Sequence, residues 1–120
     1  MATVEISDAT FQQTVSDNGI VLVDFWATWC PPCKMFGPIF EASSDTNEDI
    51  VHAKIDTDAN PGISTAAQVT SIPTLMAFRD GVLVFRQAGA LPAKALAEVV
   101  EAVRGLDMDV VRKDLAAQES

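Results

Sequence analysis

The chain's two cysteines, Cys30 and Cys33, stand three apart with Pro31 and Pro32 between them, and Asp24, Trp26 and Trp29 lie just upstream. Proline disfavours helical geometry in the residue before it, so Pro31 keeps Cys30 out of a helix and Pro32 does the same to Pro31. A helix must therefore begin here with Cys30 at its N-cap. Neither proline has an N–H, so Cys33 offers the first backbone donor within reach of a cap atom. A thiolate on Cys30 would sit at the positive end of the helix dipole and accept that bond, which lowers its pKa and raises the fraction of nucleophile near neutral pH. Residues three apart on a turn bring their sulfurs close enough to bond with only local adjustment. The chemistry that fits is reversible dithiol–disulfide exchange. Cys30, expected at the exposed tip of the loop, attacks; Cys33, expected to be shielded in the first turn, resolves the mixed disulfide.

Resolution requires Cys33 to lose a proton. Asp24 sits in "VLVDFW", at the end of an apolar run feeding the loop. Burial there raises a carboxyl pKa towards the range in which it exchanges protons with a thiol. Lys54, in "HAKID", is a candidate partner on the neighbouring strand that moderates the shift, and groups so close titrate as a set. No metal site is read from the pattern: zinc usually takes four ligands, and the one histidine, His52, is expected on the surface of a strand. Trp26 is expected to pack, and Trp29 to be partly exposed on a docking face.

These residues need a scaffold, and the chain is long enough to build one. It has 120 residues, 48% of them hydrophobic, which suits one domain with a real core. A net charge of −9 repels phosphate backbones, so nucleic acid is not an expected partner. The start "MATVEISDAT" has neither the basic nor the apolar segment of a secretory signal, and "GIVLVDFWATW" is too short and too polar for a membrane span. The expectation is a cytoplasmic protein. In a reducing compartment, a disulfide closing so short a loop serves chemistry better than stability.

The elements follow from pattern. "TVEI" alternates like an edge strand. Ser7 is expected to cap a helix through "FQQTVS", stopped by Asp17, Asn18 and Gly19. "IVLVDFW" is a continuous β-rich run, the mark of a central strand covered on both faces. "KMFGPIFEASS" reads as a helix kinked by Pro38. "IVHAKID" is a strand, and Pro61 opens a short helix in "NPGISTAAQV". "TLMAFRDGVLVFRQA" is a hairpin turning at Asp80-Gly81. "LPAKALAEVVEAVRG" is an amphipathic helix between Pro92 and Gly105. Residues 106–120 are expected as a frayed tail, with Met108, Val111 and Leu115 on one face should a helix form.

In order and spacing, "VDFWATWCPPCKMFGP", "KIDTD", "SIPTL" and "DGVLVFRQAGA" resemble the thioredoxin family over about residues 2 to 105. The family's pattern matches at Asp24, Phe25, Trp26, Ala27, Trp29, Cys30, Pro32, Cys33, Lys34 and Pro38. That family is itself a worked example of the lowered thiol pKa described above. The resemblance implies an α/β thioredoxin fold over residues 1–105, a mixed five-stranded sheet flanked by four helices, with residues 106–120 an extension that has no counterpart in the family pattern. It implies that Ile72-Pro73 is a cis-proline element offering backbone hydrogen bonds to an extended peptide. Gly89 and Ala90 would form the flat rim of that groove, and Trp29, Pro31 and Pro32 would complete the binding face. The implied activity is reduction of protein disulfides, through a reversible Cys30–Cys33 disulfide and with no bound cofactor. The implied partners are disulfide substrates and a flavin-dependent thioredoxin reductase, and the implied state is a monomer.

The departure from the pattern that matters is Pro31, which stands where most thioredoxins carry glycine; Thr28 and Ser71 are smaller departures at the groove edge. Pro31 removes an N–H near Cys30 and stiffens the loop, two effects of opposite consequence for the redox potential. Trp-Cys-Pro-Pro-Cys also occurs in tryparedoxins, so a dedicated electron donor is a second reading. A third is a peptide-binding or holdase module whose thiols are incidental.

Overall fold

A computed structural model describes residues 2–119. The chain runs β1 (Thr3–Glu5), α1 (Phe11–Asp17), β2 (Ile20–Trp26), α2 (Pro31–Thr46), β3 (Val51–Asp56), α3 (Pro61–Ala66), β4 (Thr74–Arg79), β5 (Val82–Ala88), α4 (Ala93–Arg104) and α5 (Met108–Glu119). The strands form one sheet in the order β1-β3-β2-β4-β5. β1, β3 and β2 run parallel, while β4 and β5 are antiparallel to their neighbours. The expected mixed five-stranded sheet is therefore present, with five helices among the described residues.

β2 lies at the centre, and its middle five residues are all buried. Successive side chains on a strand point to opposite faces. Val21, Val23 and Phe25 accordingly join a core with Val15 of α1, closed by Phe11 of α1 and by Ile63 and Ala67 at α3. Leu22 joins the other core, with Phe36 and Phe40 of α2 and Leu96, Val100 and Val103 of α4. Asp24 thus belongs to the α2/α4 face. The hairpin turns as expected, with Asp80 at φ 53° and Gly81 at φ 81°, the paired positive values of a tight hairpin turn.

Three expectations are corrected. Helix α1 starts at Phe11, not after Ser7, and its N-cap, Thr10, makes no side-chain capping bond. The Ser7 carbonyl instead accepts from the Thr10 and Phe11 N–H groups, which closes a turn before the helix. Residues 108–119 are a helix rather than a frayed tail. Met108 is buried, and Arg112 reaches Asp80 on the hairpin turn at 3.4 Å. The link to α4 is held by Arg79, whose Nη1 donates to the carbonyls of Val103, Arg104 and Leu106 at 2.8–2.9 Å. The first two carbonyls belong to the last turn of α4, where the i+4 partner is missing, and Leu106 lies just past the helix end. Leu115, however, lies on the exposed side of α5.

The third correction is His52. It is fully buried on β3, not at the surface, because β3 is flanked by β1 and β2 and overlaid by α2. Its ring lies 5.0 Å from Phe40, Nε2 is 2.9 Å from Ser43 Oγ, and Nδ1 is 3.0 Å from the Ile50 carbonyl. A carbonyl can only accept, so Nδ1 carries the proton and Nε2 accepts from the serine hydroxyl. Burial holds the pKa of this histidine below its ordinary value, the Ile50 contact and Asp49 acting in the opposite direction.

Candidate active site

Cys30 is the N-cap of α2, in extended geometry (φ −95°, ψ 107°), and Pro31 and Pro32 open the helix. Its Sγ accepts the Cys33 N–H at 3.2 Å, the bond that the two prolines leave to Cys33 alone. The two sulfurs are joined as a disulfide, with 5.2 Å between the Cα atoms. Contrary to expectation, exposure does not tell the cysteines apart, since Cys30 is 2% exposed and Cys33 5%. Cys30 is covered because the Ile72-Pro73 loop closes on it: Ile72 packs against the pair, and its carbonyl oxygen lies 3.6 Å from Cys30 Sγ. The difference between the sulfurs is positional. One is the cap of the helix and accepts its N–H; the other belongs to its first turn.

The Ile72-Pro73 peptide bond is cis, as expected. Pro73 itself is buried, and its carbonyl accepts the Gly89 N–H at 2.8 Å. Gly89 has φ 97°, a region costly for any residue with a Cβ, so glycine suits this corner. Thr74 Oγ1 donates to the Ser71 carbonyl at 2.6 Å and ties the loop down. Beside Cys30, Trp29 is 63% exposed and donates its indole N–H to Asp58 Oδ2 at 2.8 Å. A shallow groove runs from Trp29 along Thr57, Val69, Thr70, Ser71 and Ile72. Pro31 and Pro32 are exposed at its edge, whereas Ala90 is half-buried against the α4 core. Asp58 was not singled out in the sequence; its only signal was its place in "KIDTD".

Asp24, on β2, is fully buried, with neither carboxylate oxygen hydrogen-bonded. Burial pushes its pKa up to about 7; Lys54 opposes the shift and Glu5 adds to it. The structure brings the expected Lys54 alongside, in register with Asp24 on β3. The Lys54 ammonium lies 5.2 Å above the Trp26 ring, and a cavity open to solvent is lined by Cys33, Lys34, Trp26, Ala27, Thr28, Gly37 and Lys54. Cys33 and Lys54 thus line one solvent-open pocket. Trp26 packs as expected, although its buried indole N–H makes no hydrogen bond. Among the described residues no cluster of three metal-ligating side chains converges, and no helix is long and apolar enough to cross a membrane.

The thioredoxin family model matches residues 2–102. A Streptomyces coelicolor relative named as a putative thioredoxin 2 is 51% identical over 119 residues, covering 99% of this chain and 89% of its own. That similarity takes in most of α5, which lies beyond the family model's last matched residue. A Staphylococcus aureus thioredoxin is 45% identical over 104 residues, covering 84% of this chain and 97% of its own. Among solved structures, a mutant thioredoxin from Halobacterium salinarum superposes with a TM-score of 0.80 at 34% identity, over 88% of this chain and 92% of that one. Similar along its length and superposable on a solved thioredoxin, this chain belongs to the thioredoxin family and, with its cysteine pair at bonding distance, is a protein-disulfide reductase.

Proposed function

We propose that the reaction runs through Cys30 as nucleophile and Cys33 as resolving thiol, with Asp24 taking the resolving proton. In the reduced protein the Cys30 thiolate attacks one sulfur of a substrate disulfide. A Cys30–substrate disulfide forms, the substrate S–S bond breaks, and one substrate thiolate leaves. Cys33 then passes its proton to the Asp24 carboxylate and attacks Cys30 Sγ. The Cys30–Cys33 disulfide closes, the mixed disulfide breaks, and the second substrate thiolate departs. Two electrons have moved from protein to substrate. The observation that carries the assignment is the Cys33 N–H held on Cys30 Sγ at a helix N-terminus, an arrangement that favours the ionised form of that sulfur.

Lys54 moderates the charge on Asp24. Trp29, Pro31, Pro32, Ile72, Pro73, Gly89 and Ala90 form the face on which an extended substrate segment docks. Members of this family exchange electrons with disulfide substrates and a reductase. Here the reductase is taken to be a flavin-dependent thioredoxin reductase, the protein a cytoplasmic monomer with no bound cofactor, and residues 106–120 an appendage to a catalytic domain of residues 1–105. Reduction of insulin driven by dithiothreitol tests the roles. Cys30→Ser is expected to abolish the reaction, and Cys33→Ser to accumulate a trapped mixed disulfide with the substrate. A Cys30→Ser protein as fast as wild type, or trapping by Cys30→Ser instead, overturns the assignment.

A further inference from the structure

On the sheet face beneath α2, strand register lines up three charged residues. Glu5 on β1 pairs with Lys54 on β3, and Lys54 pairs with Asp24 on β2. Cross-strand partners in a sheet share a face, so the row reads carboxylate, ammonium, carboxylate, from the sheet edge to the buried acid. The inner carboxylate is sealed from water, while Glu5 lies at the exposed end. The ammonium between them in register rests over the Trp26 ring. We propose that Glu5 is a positioning residue for the disulfide reaction: through Lys54 it sets how much positive charge reaches Asp24, and so the pH at which Asp24 can accept the Cys33 proton. This inference rests on the role given to Asp24 above.

The charges around the row act in known directions. Asp24 feels Lys54 from β3, which favours its ionised form, and Glu5 from β1, which disfavours it. Glu5 is exposed as a residue, but partial desolvation of its carboxyl is the largest influence on it and holds its pKa above the ordinary value. Glu5 also feels Lys54 and Asp56 from β3, Glu41 from α2, and the polar edge of the Trp26 indole on β2, whose N–H falls short of hydrogen-bond geometry. The Glu5 anion therefore raises the Asp24 pKa by direct repulsion, and it attracts the shared ammonium towards the sheet edge, away from Asp24. Removing that anion must move the Asp24 titration downwards.

The oxidised protein offers a clean reading, because its disulfide-bonded cysteines do not titrate. The Asp24 carboxyl carbon is followed by NMR between about pH 4 and about pH 9 in wild type, Glu5→Gln and Glu5→Lys. Glu5→Gln is expected to lower the Asp24 midpoint by roughly half a unit, about threefold in ionised fraction on the acid side, and Glu5→Lys by about twice that. An unmoved midpoint in both folded variants, or an upward one, overturns the inference. Should Glu5→Gln fold poorly, the wild-type and Glu5→Lys midpoints decide alone. Single-turnover reduction, read by tryptophan fluorescence, separates this inference from the reading beneath it. The rate–pH midpoint should follow the NMR midpoint, and Glu5→Gln should have no further effect in an Asp24→Asn background. If Asp24→Asn leaves the rate profile unchanged while Glu5→Gln still shifts the NMR midpoint, the electrostatic row stands and proton transfer through Asp24 falls.

Discussion

On the face covered by α1 and α3, the two central parallel strands present Val21, Val23, Phe25, Ala53 and Ile55. On the face covered by α2 and α4, the intervening residues of the same strands are Leu22, Asp24, Trp26, His52, Lys54 and Asp56. Two strands thus build a purely apolar core on one side and a partly titratable one on the other. The period of two along a strand lets packing and chemistry be divided residue by residue. The polar side is also the side against which α2 lies, and its lysine lines the same pocket as Cys33 of that helix. Stability should therefore respond oppositely to mutation on the two faces.

The sharpest contrast is between adjacent residues. Phe25→Ala, on the apolar face, is expected to cost about 4 kcal/mol, by lost burial and the cavity left behind. Urea midpoints measure it, and a cost below about 1 kcal/mol would show that this core is not tightly packed. Asp24→Asn, one residue away and on the other face, should stabilise the protein above neutral pH by up to about 4 kcal/mol. The sign follows from linkage. The folded carboxyl keeps its proton up to about pH 7, whereas an ordinary one releases it near 3.8. Between those values the folded state holds the extra proton, so wild-type stability falls as pH rises, and the full cost is present above the folded pKa. The asparagine variant should lose that slope. Equal slopes in the two proteins would mean that Asp24 is hydrated in solution.

The smallest effect belongs to His52. Its folded pKa lies below the ordinary 6.5, so the unfolded state is the better proton acceptor and stability is lost as pH falls below that value. His52→Val should differ from wild type by no more than about 1 kcal/mol at alkaline pH, since the lost hydrogen bonds are offset by apolar burial, and should weaken the acid-side decline. Urea unfolding at about pH 5 and about pH 8 reads both. An undiminished acid decline would assign it to another group.

Much of the site was legible because its logic is local. Two consecutive prolines can place Cys30 only at a helix start, and an Asp80-Gly81 dipeptide between apolar runs can only turn. Asp24 was legible for the opposite reason, as a charge interrupting a run too apolar to be exposed. The relation among Glu5, Lys54 and Asp24 was not legible. Nothing in "TVEI" reveals which residue of β3 it will face, and a slip of one position would have put Glu5 on the other side of the sheet. His52 was misplaced for a similar cause. Alternation showed that "VHAKID" has two faces, but only the packing of α2 decided that both are covered.

The amino-acid order alone determined the cysteine-capped helix, the central strand, the hairpin and the chemistry of the sulfur pair, because each depends on backbone restrictions acting over a few residues. Tertiary structure decided the rest. It chose which carboxylates share a lysine, drew the cis-proline loop over Cys30 so that both sulfurs are buried, and gave residues 108–119 a surface to rest on. Those outcomes turn on strand register and on what covers each face, and both are fixed by contacts between segments far apart in the chain.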